Sequence, residues 1–440
     1  MKNIRSLPNR FFEYADRLST ARAVLLLICL SVLIKLAYIQ FAAGGLGSFP
    51  AEGTDGRVFD QAARTLLTDR VYGMEPGRTM LQPPPGEAFF LAGLYAVSGQ
   101  SIVVAKLAHV ALLTFTVVIV YFTGTILFTR PVGLLAGLLV AVDPAQAYLA
   151  GTFLSEPLFI TAVCTGIYLW LRTQRSSRPL WLAIAAGLVF GVASLTRNQG
   201  AMFVAIIVAG ALLTRGRILP VRVALITAAT AALIVLPWTY RNYVASGHFV
   251  PISTNGGITL WSGNNPEFNW RQPMPMSLPI YDAPMGLNDY ETDQYYHNRA
   301  MQWIAARPLK FLQNGVKKLI MLYSFDPATV RPEKAWLFRL AGLVPYGIAL
   351  PFILLGIITA IRNPRTWVLL TYVGLVTLVA FVYWGDSRVR APIQPYLYLL
   401  AASWLVSRMW LAGPAALNQV QHSRAGRGVA REGILHQSAR

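Results

Sequence analysis

Apolar stretches recur along the chain at lengths that suit a lipid bilayer. They cover 24–43, 102–128, 132–142, 158–171, 180–195, 201–213, 223–238, 340–361, 367–384 and 393–410. A helix needs about 20 such residues to cross the hydrocarbon. Several runs are shorter, and flanking Ala, Thr and Tyr extend most of them. The run 132–142 is the weakest, because Asp143 and Pro144 interrupt it. The pattern predicts an all-α polytopic membrane protein with about ten transmembrane helices. Val24–Ala43 is longer than the apolar core of a cleavable signal, so it is read as the first span despite the small residues from Ala42 to Gly45.

Between the spans lie two long polar segments, 44–87 and 239–334. In the first, Val58, Phe59, Ala62, Ala63 and Leu66 recur at helical spacing and predict an amphipathic helix. The second shows little helical periodicity before Asp289. Two shorter apolar stretches, Ala88–Val97 and Phe311–Phe325, predict helices at the interface or against the bundle. The expected organisation is one membrane domain over 1–410 and a basic, disordered tail over 411–440, rich in Gly, Ser, Gln and Arg. No repeat of fixed period is visible.

Composition agrees with lipid as the solvent. Charged residues are 13% of the 440, where a soluble domain carries about 25%. The formal net charge of +19 would suggest nucleic acid in a soluble protein. Here the basic residues sort by loop: Lys2, Arg5, Arg10, Arg17 and Arg22, then Arg172, Arg175 and Arg178, then Arg215, Arg217 and Arg222, then Arg362 and Arg365, then Arg424, Arg427 and Arg431. Of 19 acidic residues, only Glu13, Asp16 and Glu432 fall with them. The positive-inside rule assigns that set to the cytoplasm, with both termini, and the two long segments to the outer face. No nucleic-acid partner is expected. Cys29 and Cys164 lie in apolar runs and read as packing residues. No HExxH, Walker, GxSxG or paired CxxC pattern is present.

The polar residues that could carry chemistry stand at outer span ends. Asp55 precedes the amphipathic helix, where a helix cap is the plainer reading. Glu156 opens a span in TFLSEPLF, and Arg197 closes one in SLTRNQG. Arg241 and Asn242 follow a span in PWTYRNY, and Asp386, Arg388 and Arg390 form the turn in YWGDSRVR. Each alone reads as a span-end anchor. Together, carboxylates and guanidiniums at one face suit an anionic lipid headgroup, since a guanidinium donates paired hydrogen bonds to phosphate. Lys35, Lys106, His109 and Arg339 lie in or near spans; Lys106 and His109 share one helical face.

Read in order, Asp55, LQPPPGEAFFLAGLYAVSGQS (81–101), GLLAGLLVAVDP (133–144), SEPLF (155–159), SLTRNQG (194–200), PWTYRNY (237–243), STNGGITLWSGNNP (253–266) and RVRAPIQPYL (388–397) resemble the polyprenyl-phosphate-sugar glycosyltransferases of the C-type (GT-C) fold. The branch is the bacterial family 39-like one, related to protein O-mannosyltransferases and aminoarabinose transferases. The resemblance implies a GT-C bundle in the bacterial inner membrane with its site on the periplasmic or extracellular face. It implies a polyprenyl-phosphate-linked sugar as donor, a lipid, glycan or protein as acceptor, and inverting transfer to a hydroxyl. It makes Asp55 the base and Glu156 a second catalytic carboxylate. It also makes Arg197, Arg388 and Arg390 the cations that hold the leaving phosphate, with Arg57, Arg241 and Asn242 as further substrate-binding residues. Gly56 follows Asp55 where many relatives carry a second acid, so the sequence does not support a divalent metal, and no cofactor is expected.

Two other classes fit the same spans and basic residues. One is a flippase or transporter of a lipid-linked sugar; the other is a silent family member acting as a partner subunit. A transporter is disfavoured by the missing repeat and by polar residues gathered at one face rather than at the midplane.

Overall fold

The computed structural model describes residues 15, 17–49, 55–217, 219–269, 282–324 and 343–411. The first apolar run forms α1 (Thr20–Ala42), with Ser19 capping its first turn. The amphipathic segment forms α2 (Asp55–Thr68), and the stretch after the proline run forms α3 (Gly86–Ser98). The bundle then follows as α4 (Ile102–Leu127), α5 (Arg130–Ala141), α6 (Pro144–Ala150), α7 (Glu156–Thr173), α8 (Pro179–Thr196), α9 (Gln199–Leu213) and α10 (Val221–Ser246). The second polar segment contributes α11 (Gly256–Gly263), α12 (Asp289–Ala306) and α13 (Pro308–Tyr323). Three further helices, α14 (Ile348–Ile361), α15 (Trp367–Val382) and α17 (Gln394–Leu411), close the bundle, with the short α16 (Ser387–Arg390) before the last.

Six helical segments are long and apolar enough to cross a membrane: α1, α4, α8, α10, and α14 and α15 taken with the turns before them, as Leu343–Ile361 and Pro364–Val382. A seventh is reached if α5 and α6 form one span broken by 56°. Asp143 makes that break: its carboxylate accepts from the Ala145 amide at 2.8 Å, and Pro144 starts a new helix. The expected ten is not reached by this measure. The helix α9 has only 15 residues, and α7 and α17 carry Glu156 and Arg172, or Gln394 and Arg408, within their 18. Arg339 and the expected tail beyond 411 lie outside the described residues.

Lipid tails are as apolar as leucine, so membrane helices associate through close packing rather than burial from water. The helix α8 packs between α7 and α10, and α4 packs on α1, α5 and α7. At Gly187 of α8 a Cβ would stand 2.6 Å from the Thr227 carbonyl of α10, so that contact requires glycine. Outside the bundle, α2 lies on α3, and α11 lies on α12. Asp60 fixes the first pair: it accepts from Tyr95 at 2.5 Å and from Arg64 at 3.0 Å.

Candidate active site

Four helix ends converge on one cluster. The helix α7 begins at Glu156, with Pro157 in its first turn. Proline there presets the helical φ and gives up an amide that the helix cannot use. The neighbouring α8 runs antiparallel and ends at Arg197, whose extended backbone starts the tight connection into α9. After α15, Asp386 caps α16: its Oδ1 accepts from the Val389 amide at 2.9 Å, and its Oδ2 accepts from Trp384 Nε1 at 3.0 Å. This cap orients Arg388. The fourth end is the first residue of α2, Asp55.

Glu156 is the hub. Its Oε1 accepts from Arg388 Nε at 2.6 Å and from Arg197 Nη1 at 2.8 Å. Arg388 Nη2 reaches 2.8 Å to Asp55 Oδ2, so one guanidinium bridges both carboxylates. Arg197 also donates to Ser155 Oγ at 3.3 Å and to Gln199 Oε1 at 3.2 Å. Exposure rises outward from 0% for the Glu156 side chain, through 21% and 25% for Arg197 and Arg388, to 44% for Asp55. Burial works against the Arg388 charge, but the Glu156 and Asp55 carboxylates outweigh it and hold the guanidinium above its ordinary range. Two carboxylates and two guanidiniums balance in charge, with Asp55 as the most exposed member.

The other four expected residues are engaged elsewhere. Arg57 lies over the Phe49 ring, 3.9 Å from its centroid. Arg241 donates to the carbonyls of Met80 at 2.9 Å and Tyr72 at 3.3 Å, which clamps the 72–84 connection to α10. Asn242 donates to the Val250 and Ile252 carbonyls at 3.1 and 3.0 Å. Arg390 turns inward, donating to Gln394 at 2.8 Å, to the Leu322 carbonyl at 2.8 Å and to the Ser324 carbonyl. Ser155 and Gln199 were not singled out by sequence, since a short polar residue at a span end carries no periodic signal. Lys35 is buried in the bundle against Ser31, and Lys106 holds the Gly45 carbonyl and Ser48 at 2.8 and 2.7 Å. Among the described residues, no three His, Cys, Asp or Glu side chains gather to hold a metal ion.

Residues 82–240 match the profile of the dolichyl-phosphate-mannose-protein mannosyltransferase family. No curated protein matches the chain in sequence. Among solved structures, the oligosaccharyltransferase of Archaeoglobus fulgidus tethered to an acceptor peptide superposes at TM-score 0.55 and 12% identity, over 89% of this chain and 50% of that one. The same organism's oligosaccharyltransferase AglB, in complex with an inhibitory peptide and a dolichol-phosphate, superposes at 0.51 and 12% identity, over 92% of this chain and 52% of that one. ArnT from Cupriavidus metallidurans covers 88% of this chain and 78% of its own length, at 16% identity and TM-score 0.44. The chain thus spans about half the length of the oligosaccharyltransferases it matches. This protein has the GT-C glycosyltransferase fold, and its segment 82–240 is related to the dolichyl-phosphate-mannose-protein mannosyltransferases.

Proposed function

We propose that the protein transfers a sugar from a polyprenyl-phosphate carrier to an acceptor hydroxyl on the outer face of the membrane, with inversion at the anomeric carbon. The observation that carries this reading is the bridge from Asp55 through Arg388 to Glu156 and Arg197. The relation of 82–240 to phosphoprenyl-sugar transferases and the dolichol-phosphate in the AglB complex support a phosphoprenyl donor.

In such a transfer the acceptor oxygen bonds to the anomeric carbon as the bond from that carbon to the phosphate oxygen breaks. The phosphate leaves with the electron pair, and the acceptor proton passes to a base. Asp55 is the accessible carboxylate of the cluster and takes the proton. Glu156 is sealed from solvent and holds Arg388 and Arg197 in place as the cations that receive the phosphate charge. The Asp55–Arg388 contact is partly exposed, so it contributes little, about 0–1 kcal/mol. An arriving phosphate therefore displaces it, which turns Arg388 to the donor and frees Asp55 for the acceptor.

The test is direct. The purified protein in lipid nanodiscs is given undecaprenyl-phosphate sugars and a panel of lipid, glycan and peptide acceptors. Donor consumption with formation of a glycosidic product supports the reading. Intact donor, with labelled lipid crossing a vesicle bilayer that contains the protein, overturns it in favour of a transporter.

A further inference from the structure

Glu87 and His109 lie outside the cluster, yet they are tied to two of its span ends. Both side chains are wholly buried, with His109 Nε2 standing 2.8 Å from Glu87 Oε1. On the other side of the ring, Nδ1 lies 2.7 Å from the Thr152 carbonyl oxygen. A carbonyl only accepts, so Nδ1 carries a hydrogen, and a second proton is shared between Nε2 and Oε1. The ring lies parallel to Phe90 with centroids 5.9 Å apart, and edge-on to Phe153 at 6.1 Å. These contacts leave it one orientation.

Each partner points to one arm of the cluster. Thr152 opens the short connection to Ser155 and Glu156, and Ser155 accepts from Arg197. On the other arm, Gly86 lies flush against Thr196, the residue before Arg197. A Cβ on Gly86 would come within 2.5 Å of Thr196 Oγ1 and 2.8 Å of its backbone nitrogen. The Glu87–His109 pair therefore joins the approach to Glu156 with the approach to Arg197.

Stability does not account for this pair. Two ionisable groups away from water carry a desolvation cost that their attraction offsets only with full hydrogen bonding. Among the described residues, Glu87 Oε2 has no hydrogen-bond partner. Apolar side chains of like volume would hold α3, α4 and the 151–155 connection together equally well. A hydrogen-bonded pair contributes fixed direction instead.

We propose that Glu87 and His109 are positioning residues, which set where Glu156 and Arg197 stand and hence where Arg388 and Asp55 meet the substrates. This rests on the transferase reading above. The test uses the full chain in nanodiscs and a Glu87→Met/His109→Leu double variant. It melts at or above the wild-type temperature and keeps the donor KM, while kcat falls roughly 10- to 100-fold. Glu87→Gln, whose amide donates to Nε2, restores kcat to within about threefold of wild type. Amide hydrogen exchange over 151–157 quickens in the double variant but not in Glu87→Gln.

An unchanged kcat in the double variant overturns the proposal. So does a melting temperature that falls together with kcat, or a Glu87→Gln protein as slow as the double variant. If wild type itself transfers nothing, the transferase reading fails, and exchange alone decides on the pair. Unchanged exchange then refutes its hold on the connection, and faster exchange sustains it.

Discussion

Glu156 has no contact with water, and two guanidiniums neutralise it. Removing its charge leaves both cations facing each other across a buried amide, so Glu156→Gln is expected to lose about 3 kcal/mol of stability, read from a shifted denaturation midpoint in detergent. Arg388 shows why residue type matters beyond charge. Its Nε and Nη2 reach two different carboxylates at once, a geometry that a lysine ammonium cannot reproduce. Arg388→Lys therefore keeps the charge but loses the planar fork that turns to the leaving phosphate, and transfer should fall roughly 100-fold with the fold intact. Wild-type rates in Arg388→Lys would mean that the Arg388 guanidinium plays no part in catalysis. The types of these residues and their gathering at one end of the bundle were readable from sequence, because charge at a span end stands out against an apolar background. Which of eight candidates meet was not readable. Arg388 and Arg390 are two positions apart on α16, yet one faces Asp55 and the other faces the carbonyls of α13.

At the scale of elements, periodicity served well where one face is wet. The amphipathic pattern gives α2, and Asp289, where helical pattern resumes, is the first residue of α12 under an Asn288 capping box. The eight-residue α11 was not predicted, since it is short and its start is set from another helix. Asp293 of α12 accepts from the Gly257 amide at 2.6 Å and so caps α11 from outside. Burial raises the Asp293 carboxyl to about 6, against the opposing pull of the Gly257 and Ile258 amides and of His297. A raised carboxyl favours the protonated folded form, so its contribution is complete below the ordinary carboxylate range and is lost as pH climbs through about 6. The thermal midpoint should therefore drop between about pH 4 and pH 6 and level off above that, and Asp293→Asn should flatten that part of the profile. An equal slope in both proteins would assign the titration to another group. The same scale explains the break between α5 and α6, flagged in the sequence by Asp143 and Pro144, whereas its angle of 56° was not readable there.

For the whole molecule, the chain's direction through the bilayer links the charge pattern to the cluster. The basic connections at 172–178 and 215–222 lie at the ends of α7, α8, α9 and α10 opposite Glu156 and Arg197. By the positive-inside rule the cluster is expected on the outer face. In a cysteine-free background, a cysteine replacing exposed His248 should react with a membrane-impermeant maleimide in intact cells, and one replacing exposed Ser177 should react only after lysis. The reverse labelling would invert the protein and move the proposed chemistry to the cytoplasm. The fold class was plain from hydropathy. The number of spans was not, because a helix end carrying Glu156 or Gln394 is polar while its middle is still apolar. The central claim is that Asp55 is the base of a phosphoprenyl-sugar transfer. It is tested most directly by comparing wild type with Asp55→Asn in nanodiscs, measuring both undecaprenyl-phosphate binding and sugar transfer. The account predicts binding at least as tight as wild type, since the phosphate no longer competes with Asp55 for Arg388, and transfer slower by about 100-fold or more; equal transfer by the two proteins would contradict it.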